Sequence, residues 1–262
     1  MRFIPYIYMA SAAPAWTPAS LTGLSLWLDS NDSDSIAQAG GYISQWTDKG
    51  PTAQPFVQTV EGQKPQYDVA DNRINSKATV SFTRANVTDI KNSAWAGISG
   101  ASLAQIFVVW RMRNVLNNQL GIVPLGAGLK NPFAHQNLSY NLNVYSDASG
   151  AGTYCWKVVT SLLNTPFLCE TQFDGTQSTN ATRLVQRWNG AAQTMNFVGT
   201  VGTTLPPQTG IWLGAAAGLE STTYAWQGDI AEIIVIAGAL ISAEERVSLH
   251  SYLVTKWGLV LS

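Results

Sequence analysis

Few side chains in this sequence can do acid–base or metal chemistry, and their spacing limits what they could do. Paired carboxylates come nearest in "FLCETQFD", with Glu170 and Asp174. Glycoside hydrolysis needs two carboxyl groups flanking the bond, about 5 Å or about 6.5–9.5 Å apart. A single strand supplies such a pair when acids alternate toward one cleft, and no such run occurs here. Asp174 belongs to an Asp-Gly turn, Glu232 stands alone in an apolar strand, and "AEERV" falls on a capped helix. A hydrolase would have to pair its acids across the fold. His135, in the loop-like "NPFAHQN", and His250, beside Ser248 and Ser251, are the only histidines. A Ser-His-Asp triad is set by spatial neighbours, but neither G-x-S-x-G nor a catalytic cysteine context appears. Phosphate-cradling glycine loops are missing too. The expectation is no catalytic residue, no cofactor and no enzyme.

Metal chemistry has one local candidate. "DSNDSDS" (Asp29 to Ser35) offers oxygens from Asp29, Asn31 and Asp34. A calcium loop of the EF-hand type needs Gly at its sixth position and Glu at its twelfth; here those are Asp34 and Gly40. A polar turn whose Asp and Ser side chains cap their own backbone is the expected structure, with no metal. Cys155 and Cys169, in "TYCWKVV" and "PFLCETQF", lack the spacing of a zinc site. The two runs could pair as a hairpin, leaving a disulfide or two buried thiols open.

Aromatic side chains are the remaining chemistry, because pyranose faces pack on rings. The chain has 10 Trp and 9 Tyr. Trp27, Trp46, Trp110 and Trp212 alternate with polar neighbours as core-facing strand residues do. Trp95, Tyr145, Trp156 and Trp226 lack that pattern and are the candidates for stacking against glycan.

The elements that must hold these residues are almost all strands. Runs such as "LSLWLDS", "KATVSF", "AQIFVVWRM", "LSYNLNVYS" and "TRLVQRW" alternate with period 2, separated by Gly, Pro, Asn, Asp and Ser clusters. Such spacing predicts an all-β sandwich of antiparallel strands. Asn189-Gly190 between two strand-like runs predicts a type I′ hairpin. "AEIIVIA" is apolar at almost every position, as in a strand buried on both faces. After it comes one helix: Ser242 and Glu245 form a capping box, and Gly258 falls where a left-handed cap would sit. Ala243, Val247, Ser251 and Val254 set its apolar rhythm, broadened by Leu249 and Leu253. We expect this helix to close an open end or edge of the sandwich.

Whole-chain totals agree with one domain of 262 residues, 46% hydrophobic and 12% charged, with a formal net charge of -1. Lys and Arg are scattered singly, so nucleic acid has no electrostatic footprint to meet. No apolar run approaches the roughly 20 residues of a membrane span. The start, "MRFIPYIYMASAAPAW", has an apolar stretch interrupted by Pro5 and two tyrosines, unlike a secretory h-region. We read residues 1–15 as an arm and 16–262 as the domain. Phe3, Ile4, Tyr6, Ile7 and Tyr8 make the arm apolar. It could dock on its own domain or on a neighbouring chain, or add an edge strand.

"GLSLWLDSNDSDSI…ISQWTDKG", "AQIFVVWRM" and "FDGTQS…RLVQRWNGAAQ" resemble segments of laminin-G-like, concanavalin A-like jelly-roll domains of bacterial and bacteriophage proteins. The most specific match is the ending: G-x-I-A-E-I, a break, S-x-x-E-R, then Y-L-x-x-K-W-G-L. The resemblance spans roughly residues 16 to 259. It implies a two-sheet antiparallel jelly roll of about a dozen strands with one C-terminal helix. Fold does not fix function in such a family. Some members hold calcium near the last strand through an I-D-E carboxylate; here Ala231 takes that position, leaving Glu232 and Asp229. Taken with the missing chemistry, the low charge, the start unlike a signal peptide and the apolar arm, the resemblance leads us to expect a non-enzymatic virion protein, as a capsid decoration or tail-associated part. Its partners would be other virion proteins or copies of itself, with cell-surface glycan as a further contact. A lectin-like adhesion protein, secreted or at the cell surface, is the alternative, and a glycoside hydrolase the third.

Overall fold

The computed structural model describes residues 16–113, 119–125, 135–138, 141–145, 154–158, 163–207, 210–215, 222 and 225–262, with backbone alone between 119 and 158. The arm residues Phe3, Ile4, Tyr6, Ile7 and Tyr8 lie outside the described residues.

In chain order the first strands are β1 (Leu24–Asp29), β2 (Ile36–Ala39), β3 (Tyr42–Thr47), β4 (Pro55–Val57), β5 (Gln66–Tyr67) and β6 (Val80–Phe82). Next come β7 (Ile90–Asn92), β8 (Leu103–Met112), β9 (Gln119–Leu125), β10 (His135–Leu138), β11 (Asn141–Tyr145) and β12 (Tyr154–Val158). The last six are β13 (Phe167–Asp174), β14 (Leu184–Trp188), β15 (Ala191–Ala192), β16 (Asn196–Val198), β17 (Ile211–Leu213) and β18 (Gly228–Ala237). The described residues also include a one-turn helix, α1 (Asn180–Arg183), and the terminal helix, α2 (Ala243–Trp257).

These strands build the antiparallel sandwich that the alternation predicts. One layer runs β15–β14–β13–β8–β18–β1. The other runs β3–β4–β7–β17–β9–β10–β11–β12–β16. Between them β6 pairs both the start of β18 and β5, and β5 meets β3, so the ladder turns a corner instead of ending. The dozen strands expected become eighteen among the described residues, because several are only two or three residues long. His135 opens β10 rather than lying in a loop. β12 has β11 and β16 as neighbours and β13 has β8 and β14, so the two cysteine runs do not form a hairpin. Cys169 is buried on β13.

Two apolar cores result. Between the layers, Trp46, Phe56, Phe82, Trp110, Phe167 and Ile233 share one cluster. Beneath α2, Trp27 of β1, Phe107 and Val109 of β8, Leu168 of β13 and Ile234 and Ile236 of β18 meet Leu249, Leu253 and Trp257. β18 lies between the two cores and is buried at every position but its last, as its unbroken apolar run predicts. Helix α2 therefore covers the outer face of a sheet rather than an end or edge. Four adjacent strands present apolar side chains outward there, and only a face-on helix removes them all from water. Its buried stripe is Leu249, Leu253 and Trp257; Val247, predicted to face inward, is 70% exposed.

The local signals behave as read. Ser242 Oγ accepts from Glu245 N at 3.1 Å, and Glu245 Oε2 accepts from Ser242 N at 2.8 Å. Glu245 also accepts from Thr22 N at 2.9 Å, joining the cap to the start of the sandwich. These bonds hold its carboxyl below the usual range. Gly258 closes α2 with φ 65, and Asn189 and Gly190 turn the β14–β15 hairpin with φ 47 and 85.

Candidate binding site and the fate of the acidic residues

Glu232 is the carboxylate on which the terminal motif converges. The β1–β18 ladder sets Asp29 opposite Glu232, and the β8–β18 register shifts between Ile230 and Glu232. A bulge of this kind changes which face a side chain takes, and here it places Glu232 under α2. Trp27 Nε1 and Tyr252 Oη donate to Oε1 at 2.6 and 2.9 Å. Lys256 Nζ and Trp257 Nε1 donate to Oε2 at 3.0 and 2.6 Å. Burial pushes the carboxyl pKa up, with the Lys256 ammonium opposing it. Burial and the Glu232 charge push the Tyr252 phenol up as well. Tyr252, Lys256 and Trp257 of Y-L-x-x-K-W-G-L thus all serve one buried acid from the sheet, which gives the signature a structural cause.

The calcium position implied by the resemblance does not fit this donor set. Lys256 Nζ lies between Asp29 Oδ1 at 2.6 Å and Glu232 Oε2 at 3.0 Å. Lys49 Nζ takes Asp29 Oδ2 at 3.1 Å and Asp32 Oδ2 at 2.7 Å. Two ammonium groups stand where a divalent cation would need to collect these oxygens. "DSNDSDS" is a capped turn: Asp29 Oδ1 accepts from Asn31 N at 3.1 Å and Asp32 Oδ1 from Asp34 N at 3.3 Å. No cluster of metal-ligating side chains occurs among the described residues.

Three further acids are engaged, Glu170, Asp229 and Asp174. Glu170 of β13 bonds Arg187 at 3.0 Å and Arg246 of α2, while His250 Nε2 stands 3.5 Å from its second oxygen. Burial, then the charges of Arg246 and Arg187, hold the His250 imidazole below its ordinary value. Asp229 is fully buried against Arg111 at 2.8 Å and Arg113 at 3.3 Å. Desolvation raises its pKa against both guanidinium charges. Asp174 accepts from Thr176 N at 3.0 Å, from Thr176 Oγ1 at 2.6 Å and from Gln177 Nε2 at 2.8 Å, in its Asp-Gly turn.

The aromatic candidates divide. Trp95 and Trp226 are 4% and 2% exposed and belong to the inter-layer core, with Trp226 stacked on Trp110 at 5.6 Å. They are corrected from stacking candidates to core: the layers close over both rings, and Trp226 packs beside Phe82 as well as Trp110. Tyr145 and Trp156 are placed by backbone register. Asn143, Trp156 and Asn196 are partners across β11, β12 and β16, and so are Tyr145, Tyr154 and Val198. Direct partners share a face of a sheet. Phe197 packs on the core, whereas Asn196 and Val198 are exposed, Val198 at 40%. The register thus sets Tyr145, Tyr154 and Trp156 on one face of the sheet with Asn143, Asn196 and Val198. Trp212, expected in the core, is half-buried and lies on the face opposite the buried Ile211 and Leu213. Sequence reasoning missed Tyr154, whose alternation with Trp156 in "TYCWKVV" was the available signal.

No family model matches the chain, and no curated protein does. Solved structures share its fold. The binding domain of Paraclostridial Mosquitocidal Protein 1 is 12% identical, with TM-score 0.54 over 88% of this chain and 52% of its own. An arabinofuranosidase complexed with arabinofuranosyl-alpha-1,2-xylobiose is 12% identical, with TM-score 0.53 over 91% and 60%. The Botulinum Neurotoxin Type G Receptor Binding Domain is 11% identical, with TM-score 0.52 over 88% and 51%. This chain spans from about half to three fifths of these similar chains. What the likeness establishes is the β-sandwich.

Proposed function

We propose that this chain is a non-catalytic contact module that binds carbohydrate on one face of β11, β12 and β16. The observation that carries the proposal is the register setting Tyr145, Tyr154 and Trp156 on one face with Asn143 and Asn196. Rings supply stacking area at low entropic cost, and amides supply paired donors and acceptors for sugar hydroxyls. The described acids support contact over catalysis, since Glu170, Asp229 and Glu232 are tied to arginine or lysine. Names of the similar folds, a receptor-binding domain among them, describe those proteins and accord with a contact role here.

The test is retention on an array of oligosaccharides, followed by calorimetry on the best ligand. Replacing Trp156 or Tyr145 by Ala should weaken binding about tenfold or more, or about 1.4 kcal/mol. Retention of no glycan, or affinity untouched by both variants, removes the proposal.

A second reading makes the module a particle component, a capsid decoration or tail-associated virion protein, joined to its neighbours by residues 1–15. It rests on the jelly-roll resemblance and on one observation. Trp16, where the arm ends, packs edge-on against Tyr252 at 5.9 Å and walls a groove of about 540 Å³ on α2 with Val247, Ser251 and Thr255.

A further inference from the structure

We infer a second sugar subsite, for a single neutral pyranose ring, in the cleft beside Tyr42, resting on the proposal that this chain binds carbohydrate. The cleft lies where three segments converge. Tyr42 opens β3 and sits opposite Gln66 of β5. Glu61 to Lys64 form a short turn before β5, with Lys64 ion-paired to Glu61. Thr83 and Thr88 close a loop in which Thr83 N donates to Thr88 Oγ1 at 2.7 Å and Thr88 N to Thr83 O at 3.2 Å. Asp89 N donates to Gln63 O at 3.0 Å and ties that loop to the turn.

The resulting hollow of about 260 Å³ is lined by Tyr42, Glu61, Lys64, Gln66, Asn86 and the two threonines. Three features select the ligand. Its volume falls below the roughly 300–1,000 Å³ of sites for drug-sized molecules, which suits one ring rather than a chain. Tyr42 is 40% exposed, so an aromatic face is available for the apolar side of a sugar. Around it stand carboxylate, ammonium, amide and hydroxyl groups, a mixture that meets vicinal hydroxyls as both donor and acceptor. The adjacent Lys64 and Glu61 charges oppose each other, so neither an anionic nor a cationic ligand is favoured.

One group is left waiting. Thr83 Oγ1 is buried and has no hydrogen-bond partner among the described residues. Recovering the cost of that unpaired hydroxyl requires the Thr83–Thr88 loop to turn Oγ1 toward a ligand hydroxyl in the cleft. The aromatic face of β11 and β12 is set by other strands, so the cleft predicts a second class of binding, to a terminal sugar instead of a run of residues.

The experiment is saturation-transfer NMR of the full chain with methyl glycosides of neutral hexoses, repeated on Tyr42→Ala, Thr83→Val and Trp156→Ala. Expected is transfer from at least one glycoside, weakened about tenfold or more by Tyr42→Ala and several-fold by Thr83→Val, and kept by Trp156→Ala. Thr83→Val nearly preserves shape, and circular dichroism of each variant verifies folding, so a signal lost by unfolding is recognised and Thr83→Val decides. No transfer from any glycoside, while the array still retains an oligosaccharide, overturns this subsite and leaves the proposed function standing. Transfer that Trp156→Ala abolishes and Tyr42→Ala spares also overturns it. Absence of binding in both assays overturns both.

Discussion

At the scale of single residues, the acids that first invite a catalytic reading are structural. Glu232 illustrates why: two donors reach each of its oxygens, from β1 and from α2. Removing one partner of a buried pair strands the other, at a cost of about 3–5 kcal/mol. Glu232→Gln should therefore lower unfolding stability by that order, read from urea denaturation. Lys256 keeps Asp29 as a partner when Glu232 is lost, and Glu232→Gln combined with Lys256→Met should still cost less than the two single losses added together, because both act on one contact. Additive losses would show that the contact carries no coupling. Asp229 and Glu170 follow the same logic with arginines, so mutating them informs about folding before it informs about chemistry.

Elements are where the pattern of the chain is most legible. The Ser242–Glu245 capping box, the Gly258 cap and the Asn189-Gly190 turn each depend on a few consecutive residues, and all stand where the sequence puts them. The helix's facing was read less well. Both Val247 and Leu249 are apolar, and only the sheet beneath decides that Leu249, Leu253 and Trp257 go inward. Three substitutions grade this. Leu253→Ala should cost about 2–5 kcal/mol through transfer and cavity terms. Ser242→Ala should cost about 0.5–2 kcal/mol by losing its cap. Val247→Ala, exposed, should stay within about 0.5 kcal/mol. Urea midpoints at constant slope give the ranking; a large loss at Val247 would mean that its face is covered.

For the whole molecule, α2 converts a two-layer sandwich into three layers, and the third exposes a new surface, the groove at Trp16. The particle-assembly reading is tested there by light scattering of the full chain against a chain lacking residues 1–15. Under that reading the full chain assembles and the shortened one is monomeric; equal masses would retire it and leave the carbohydrate face in front. What the sequence by itself determined was the all-β class, the two-faced burial of β18, the hairpin and the caps. Each follows from side-chain period or from turn and cap chemistry acting within one element. Only the tertiary structure decided which aromatics are buried, which face α2 covers and what Glu232 binds. Trp27 and Glu232 are 205 residues apart in the chain. Period 2 says that a side chain alternates, but not which of its two faces another layer will cover. That choice groups Tyr145, Tyr154 and Trp156 on one face, while Trp95 and Trp226, outside any strand, are buried by the packing of the two layers.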